Sequence, residues 1–137
     1  MNHLIIKKTV KNIFKNFKLN NNHATISAEY LIKAELVGTS SHGLSRLKMY
    51  CERIKKKIIN PKPQIKIKKI SQSIAHINGN NGIGFVTADI GIKTAIKCAK
   101  KTGIGLVAIK NSGHYGLSSF YALQAVKKNL MVLCFTN

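Results

Sequence analysis

The chain has 137 residues, 23 Lys plus Arg against 4 Asp plus Glu, a formal charge of +19 and 45% hydrophobic residues. That is about one domain's worth of chain with enough apolar content for a core, which excludes a wholly disordered polypeptide. No apolar run approaches the ~20 residues of a membrane helix, and the N-terminus lacks the apolar stretch and small-residue cleavage site of a secretory signal.

The periodicity predicts a first helix over Thr9 to Lys18, where Val10, Ile13, Phe14 and Phe17 form one apolar stripe. Asn20-Asn21-Asn22 breaks it. A second helix is expected from Ala24 to Val37, ending at Gly38. After the polar junction Ser40-Ser41-His42-Gly43, a third is expected from Leu44 to Lys57, with Leu44, Leu47, Cys51 and Ile54 inward. Pro61 and Pro63 close this region.

The period then changes. Gln64 to Ile70 alternates like a strand, and Ser73 to Ile77 is a second strand candidate. Asn78-Gly79-Asn80-Asn81-Gly82 reads as a turn. A helix is expected from Phe85 to Lys101, stopped at Gly103. Leu106 to Ile109 reads as a buried strand, Asn111 to Gly116 as a loop, Leu117 to Lys128 as a helix and Leu130 to Phe135 as a second buried strand. The fold class expected is α/β, or α+β overall. Residues 1–60 form a helical N-terminal segment, and 61–137 the incomplete beginning of an α/β domain. Two doubly apolar strands need neighbours and covering helices, so the chain reads as the front part of a larger fold.

Composition also limits the chemistry. Glu29, Glu35, Glu52 and Asp89 are scattered, so neither a glycosidase carboxylate pair nor a two-metal site is supported. Cys51, Cys98 and Cys134 are odd in number and widely spaced, which fits buried apolar residues in a reducing cytoplasm and no metal site. The charge invites a nucleic-acid reading. Yet Arg46 and Arg53 are the only arginines, the lysines are dispersed, and no zinc-finger spacing or stacking block accompanies them. Solvated lysine faces are preferred. A basic module binding nucleic acid or an anionic surface is the alternative, and a remnant without function is a third reading.

Gly82-Ile83-Gly84-Phe85-Val86-Thr87 nearly matches G-x-G-x-x-G. Its third glycine is missing, and no acidic residue follows about 20 residues on, so a turn before a helix is preferred. His42 and Arg46, four residues apart, would share one helix face. A base near neutral pH plus a guanidinium suits a substrate with a hydroxyl and a carboxylate, although an ordinary cap histidine and a solvated arginine would look the same. His114, among Asn111-Ser112-Gly113-His114-Tyr115-Gly116, follows a strand directly, where α/β sheets bind ligands. His3, His23 and His76 are expected to be solvent or packing residues, and Tyr50, Phe120 and Tyr121 core residues.

Taken together, SHGLSR, NGNNGIG, GIGLVAIKNSGHYGLSSFYALQA and the closing TN resemble the malate/L-lactate dehydrogenase family of the non-Rossmann type. The resemblance implies an NAD- or NADP-dependent oxidoreductase, homodimeric at full length, that interconverts a small 2-hydroxy acid and its 2-oxo acid. It implies His42 and His114 as catalytic histidines, without deciding which one exchanges the proton, and Arg46 as the holder of the substrate carboxylate. No residue here is assigned to the cofactor. Family members continue well past this length, so the fragment is expected to be inactive by itself. Neither a specific nucleic-acid partner nor a membrane is implied.

Overall fold

The computed structural model describes residues 2–136. Two helices come first and pack on each other. α1 spans His3–Asn16 and starts six residues earlier than the apolar stripe indicates, because the Asn2 side chain accepts from Leu4 N at 3.0 Å and caps it. α2 spans Asn21–Leu36, capped in the same way by Asn20, whose side chain accepts from His23 N at 2.8 Å. The asparagine run is therefore the start of a helix as much as the end of one.

The third helix is shorter than expected. Ser40–His42 and Leu44–Arg46 are two 3₁₀ turns, and α3 proper spans Leu47–Lys55. Gly43, between the turns at φ −98° and ψ −136°, breaks the helical path.

β1 (Lys66–Lys69) pairs antiparallel with β2 (Ile74–Gly82), and β2 pairs parallel with β3 (Leu106–Ser112), in the order β1-β2-β3. The crossover between β2 and β3 is α4, Gly84–Thr102, which stops at Gly103 with φ +81°. α5 spans Ser119–Val126.

Three strand expectations are corrected. The Asn78–Gly82 stretch is the second half of β2, not a turn. Its irregularity is a register shift between Asn78 and Gly82, with Asn80 and Asn81 at φ +49° and +55°. Gln64 N and Asn60 Nδ2 both donate to Asn80 Oδ1, tying this bulge to the preceding loop.

Leu106–Ile109 does form a strand, but it is not buried. β3 is a sheet edge. By its register with Ala75 and Ile77, Val107 and Ile109 face α4, while Leu106 and Ala108 face the other way. Leu106 is 53% exposed.

Leu130–Phe135 is no strand and pairs with none of the described strands. Leu130 and Val132 pack on the core, while Met131, Leu133 and Phe135 are exposed. An apolar run becomes a strand only where a neighbour supplies hydrogen-bond partners. The buried-cysteine expectation holds for Cys98; Cys51 is half-buried and Cys134 is exposed.

One apolar cluster joins the helices to the sheet domain. Val10, Phe14, Leu31, Tyr50, Phe85 and Tyr121 all belong to it. At its centre Tyr30 stacks between Phe85 and Tyr121 and donates a hydrogen bond to Asp89 Oδ1 at 3.0 Å. Gln124 donates to the same tyrosine oxygen at 2.8 Å, and Lys93 pairs with Asp89 at 2.6 Å. This polar knot locks α2, α4 and α5 together without an unpaired buried charge.

Candidate active site

The site forms where two polar segments meet above Tyr50. The first hangs from the end of α2. Glu35 Oε1 accepts from Leu44 N at 2.6 Å, and Oε2 accepts from Ser40 Oγ at 2.8 Å. A Cβ at position 43 would run into this carboxylate, so Gly43 permits the close approach. Glu35 thereby folds the 40–46 segment back on itself and presents His42. Arg46 Nε donates to Ser41 O at 2.7 Å, and His42 Nδ1 lies 3.1 Å from Ser41 Oγ.

The second segment leaves the end of β3. Asn111, at φ +52°, bends β3 one residue before its end, where its register with β2 shifts. Thr87 of α4 hydrogen-bonds Ser112. The carbonyls of Gly113 and His114 lie against Gly84 so closely that a Cβ there would overlap both. His114 Nδ1 then lies 2.6 Å from Tyr50 Oη on α3.

These placements bring the two predicted histidines together, 72 positions apart in sequence numbering. Their rings lie 5.7 Å apart, centroid to centroid, with 30° between planes. Both line one hollow of about 500 Å³, with Ser112, Leu117, Ser118 and Thr136. Arg46 does not line it. Its charge still reaches His114: burial lowers the His114 pKa first, and the positive fields of His42, Arg46 and Arg53 lower it further. The expectation that His42 and Arg46 share one regular helix face is corrected, since each sits in its own 3₁₀ turn. A smaller hollow of about 160 Å³, lined by Ile67, Lys69, Thr94, Lys97 and Cys98 among others, shares no residue with the first.

Two residues of the site escape the sequence reading. Tyr50 is a core residue, 1% exposed, whose hydroxyl nonetheless reaches His114. Its spacing of four from Arg46 was the available signal. Glu35 gives no motif signal, because its role depends on the chain doubling back. His3 and His76 are exposed, and the half-buried His23 has a buried Nδ1 with no hydrogen-bond partner among the described residues. No three His, Cys, Asp or Glu side chains among the described residues converge as metal ligands.

The segment resembling a dinucleotide fingerprint is wholly interior. Ile83, Gly84, Phe85, Val86 and Thr87 are buried, and main-chain carbonyls cover Gly84 at the start of α4. That helix end therefore offers no cradle for a diphosphate. The hollow beside the histidines has room for a small organic acid.

The paired imidazoles lie at the carboxyl end of a strand in a mixed helix-and-sheet fold, the place where open α/β sheets bind small ligands. Comparison with known proteins gives the family. The model of the malate/L-lactate dehydrogenase family matches residues 2–137, and the chain belongs to that family. It is 37% identical over 131 residues to the L-sulfolactate dehydrogenase of Methanocaldococcus jannaschii, covering 96% of this chain and 38% of that protein. It is 44% identical over 114 residues to the malate dehydrogenase of Pyrococcus abyssi, covering 83% of this chain and 32% of that one. The solved structure of sulfolactate dehydrogenase from M. jannaschii superposes with a TM-score of 0.91 at 36% identity, covering 94% of this chain and 38% of that structure. The chain thus spans about a third of the length of these relatives.

Proposed function

We propose that this chain is the substrate-side part of an NAD- or NADP-dependent 2-hydroxy acid dehydrogenase acting on a malate-like acid. The observation that carries the reading is the stacked pair His42 and His114 over one hollow. Oxidation of a 2-hydroxy acid removes a hydride from C2 and a proton from the hydroxyl. Bound NAD(P) supplies the hydride acceptor. One imidazole of the pair receives the proton and returns it in the reverse reaction. Arg46, outside the hollow but near enough for its charge to reach His114, takes the substrate carboxylate. Its Nε is held by Ser41 O, and its terminal nitrogens make no hydrogen bond to another described residue. In this reading residues 1–60 are the helical N-terminal segment, 61–137 begin the catalytic and cofactor domain, and the working enzyme is a cytoplasmic homodimer. No helix among the described residues is long and apolar enough to cross a membrane.

The 137-residue chain by itself is expected to show no turnover, since it spans only about a third of the length of the relatives it matches. The test joins residues 1–137 to the remaining two-thirds of the M. jannaschii relative and follows NAD(P)H formation with malate and sulfolactate. Turnover that disappears when both His42 and His114 are replaced supports the reading. A folded chimera that ignores both acids, or one indifferent to the double replacement, overturns it.

A further inference from the structure

We propose that Tyr50 is a positioning residue that sets the tautomer of His114: its hydroxyl donates to Nδ1, so that the opposite ring nitrogen, Nε2, carries the hydrogen and His114 serves the hollow as a hydrogen-bond donor, leaving the proton exchange to His42. The division of labour rests on the dehydrogenase reading. The tautomer does not.

The direction of the hydrogen bond follows from what each atom can do. Tyr50 is 1% exposed, and its hydroxyl has one partner among the described residues, Nδ1 of His114 at 2.6 Å. A buried hydroxyl that only accepted would leave its own hydrogen unpaired. Burial pushes the Tyr50 pKa well above the ordinary tyrosine value, against a smaller downward pull from Arg53 and Arg46, so the hydroxyl keeps its proton to give. Nδ1 must then be the bare nitrogen, and a neutral ring with a bare Nδ1 holds its hydrogen on Nε2. Neutrality is consistent with the surroundings of His114, where burial and the charges of His42, Arg46 and Arg53 all oppose a second proton. The tyrosine itself cannot drift, because its ring packs on Phe85 at a centroid distance of 5.0 Å.

A histidine held in this form can donate to the oxygen on C2, as hydroxyl or carbonyl, but cannot take the hydroxyl proton through Nε2. His42 makes no such bond to a buried donor. Its Nδ1 neighbour is the exposed Ser41 hydroxyl, which rotates to give or accept a hydrogen. His42 can therefore change protonation state without leaving a buried group unpaired.

The experiment is a two-bond ¹H–¹⁵N correlation spectrum of the histidine-¹⁵N-labelled 137-residue chain at about pH 8, above the ordinary imidazole pKa. His114 is assigned by the resonance lost in His114→Gln. The expected wild-type pattern is an unprotonated, pyridine-type Nδ1 and a protonated, pyrrole-type Nε2. Tyr50→Phe, which keeps the ring packing, should move both nitrogens toward averaged shifts as the two tautomers mix. A pyrrole-type Nδ1 in the wild-type chain overturns the proposal, and so do unchanged His114 shifts in a folded Tyr50→Phe chain. The wild-type spectrum decides by itself should the variant not fold. In the chimera described above, Tyr50→Phe should also alter the pH–rate profile rather than KM alone. A chimera without turnover beside the expected spectrum would strike the dehydrogenase reading and leave the tautomer assignment standing.

Discussion

The carboxylate of Glu35 accepts the backbone N–H of Leu44 at 2.6 Å, across a loop of eight intervening residues that contains His42. This bond, with its companion from Ser40, is what turns a polar junction into a shaped segment. Glu35→Ala leaves the Leu44 N–H without its acceptor and should cost about 1.5–2 kcal/mol, the lower part of the range for a hydrogen bond to a charged group because the site is partly exposed. Glu35→Gln keeps an acceptor oxygen and should cost less. Urea denaturation of the three chains checks the order. Equal stability for all of them would mean that the 40–46 segment holds its shape by other means.

Acid should destabilise the fold in two separate windows. Burial lowers the pKa of His23, and burial with neighbouring positive charge lowers that of His114, both from an ordinary 6.5. Below about 6.5 the unfolded chain takes up protons that the folded chain refuses, so stability falls until the folded-state values are passed. Glu29 acts lower. The Lys33 hydrogen bond comes first among the influences that hold its carboxyl below 4.5, and its contribution, present above 4.5, is lost as pH falls through the depressed value. Denaturation midpoints measured between about pH 8 and pH 3 should decline in both ranges. His23→Gln should flatten the upper one only in part, since His114 remains.

Arg46 and His42 are expected to fail differently in the chimera. Arg46→Lys keeps the charge but loses the planar fork that matches a carboxylate, so KM should rise about tenfold with a smaller change in kcat. His42→Ala should lower kcat by about 10²–10⁴ fold, the usual size of a lost acid–base group. Steady-state kinetics with malate separates the two patterns. An Arg46→Lys enzyme with unaltered KM would detach the guanidinium from the substrate.

The charge of +19 should dominate the behaviour of the chain in solution. At low salt, mutual repulsion keeps copies apart. As the screening length drops to about 8 Å near physiological ionic strength, the exposed Leu106, Met131, Leu133 and Phe135 should begin to draw them together. Light scattering across a salt series should therefore show association rising with salt. Binding to unrelated RNA should go the other way and weaken steeply, as counterion release requires. Saturable, sequence-selective binding that resists salt would instead favour the basic-module alternative.

The helices were legible because their signals are local. α4 begins and ends within one residue of its apolar pattern, since Gly103 marks its stop in the sequence itself. The cap at Asn2 is local too, but one side-chain oxygen is a faint sign. Strands were read less well. Leu130–Phe135 has the composition of a buried strand and lacks a neighbour. Asn78–Gly82 has the composition of a turn, yet is held in a ladder by β3. Whether such stretches pair depends on what lies beside them, which periodicity does not contain. His42 and His114 stood out by their settings among small polar residues. Tyr50 did not, because a buried aromatic ring looks the same in sequence whether or not its hydroxyl is employed.

Gly84 has a mechanical consequence. With no side chain between them, the start of α4 serves as a datum against which the main chain at Gly113 and His114 is seated. Even a methyl group at that contact would act as a shim, lifting the imidazole off Tyr50 and out of register with His42. The spacing of the two rings is thus calibrated by a residue that touches neither of them.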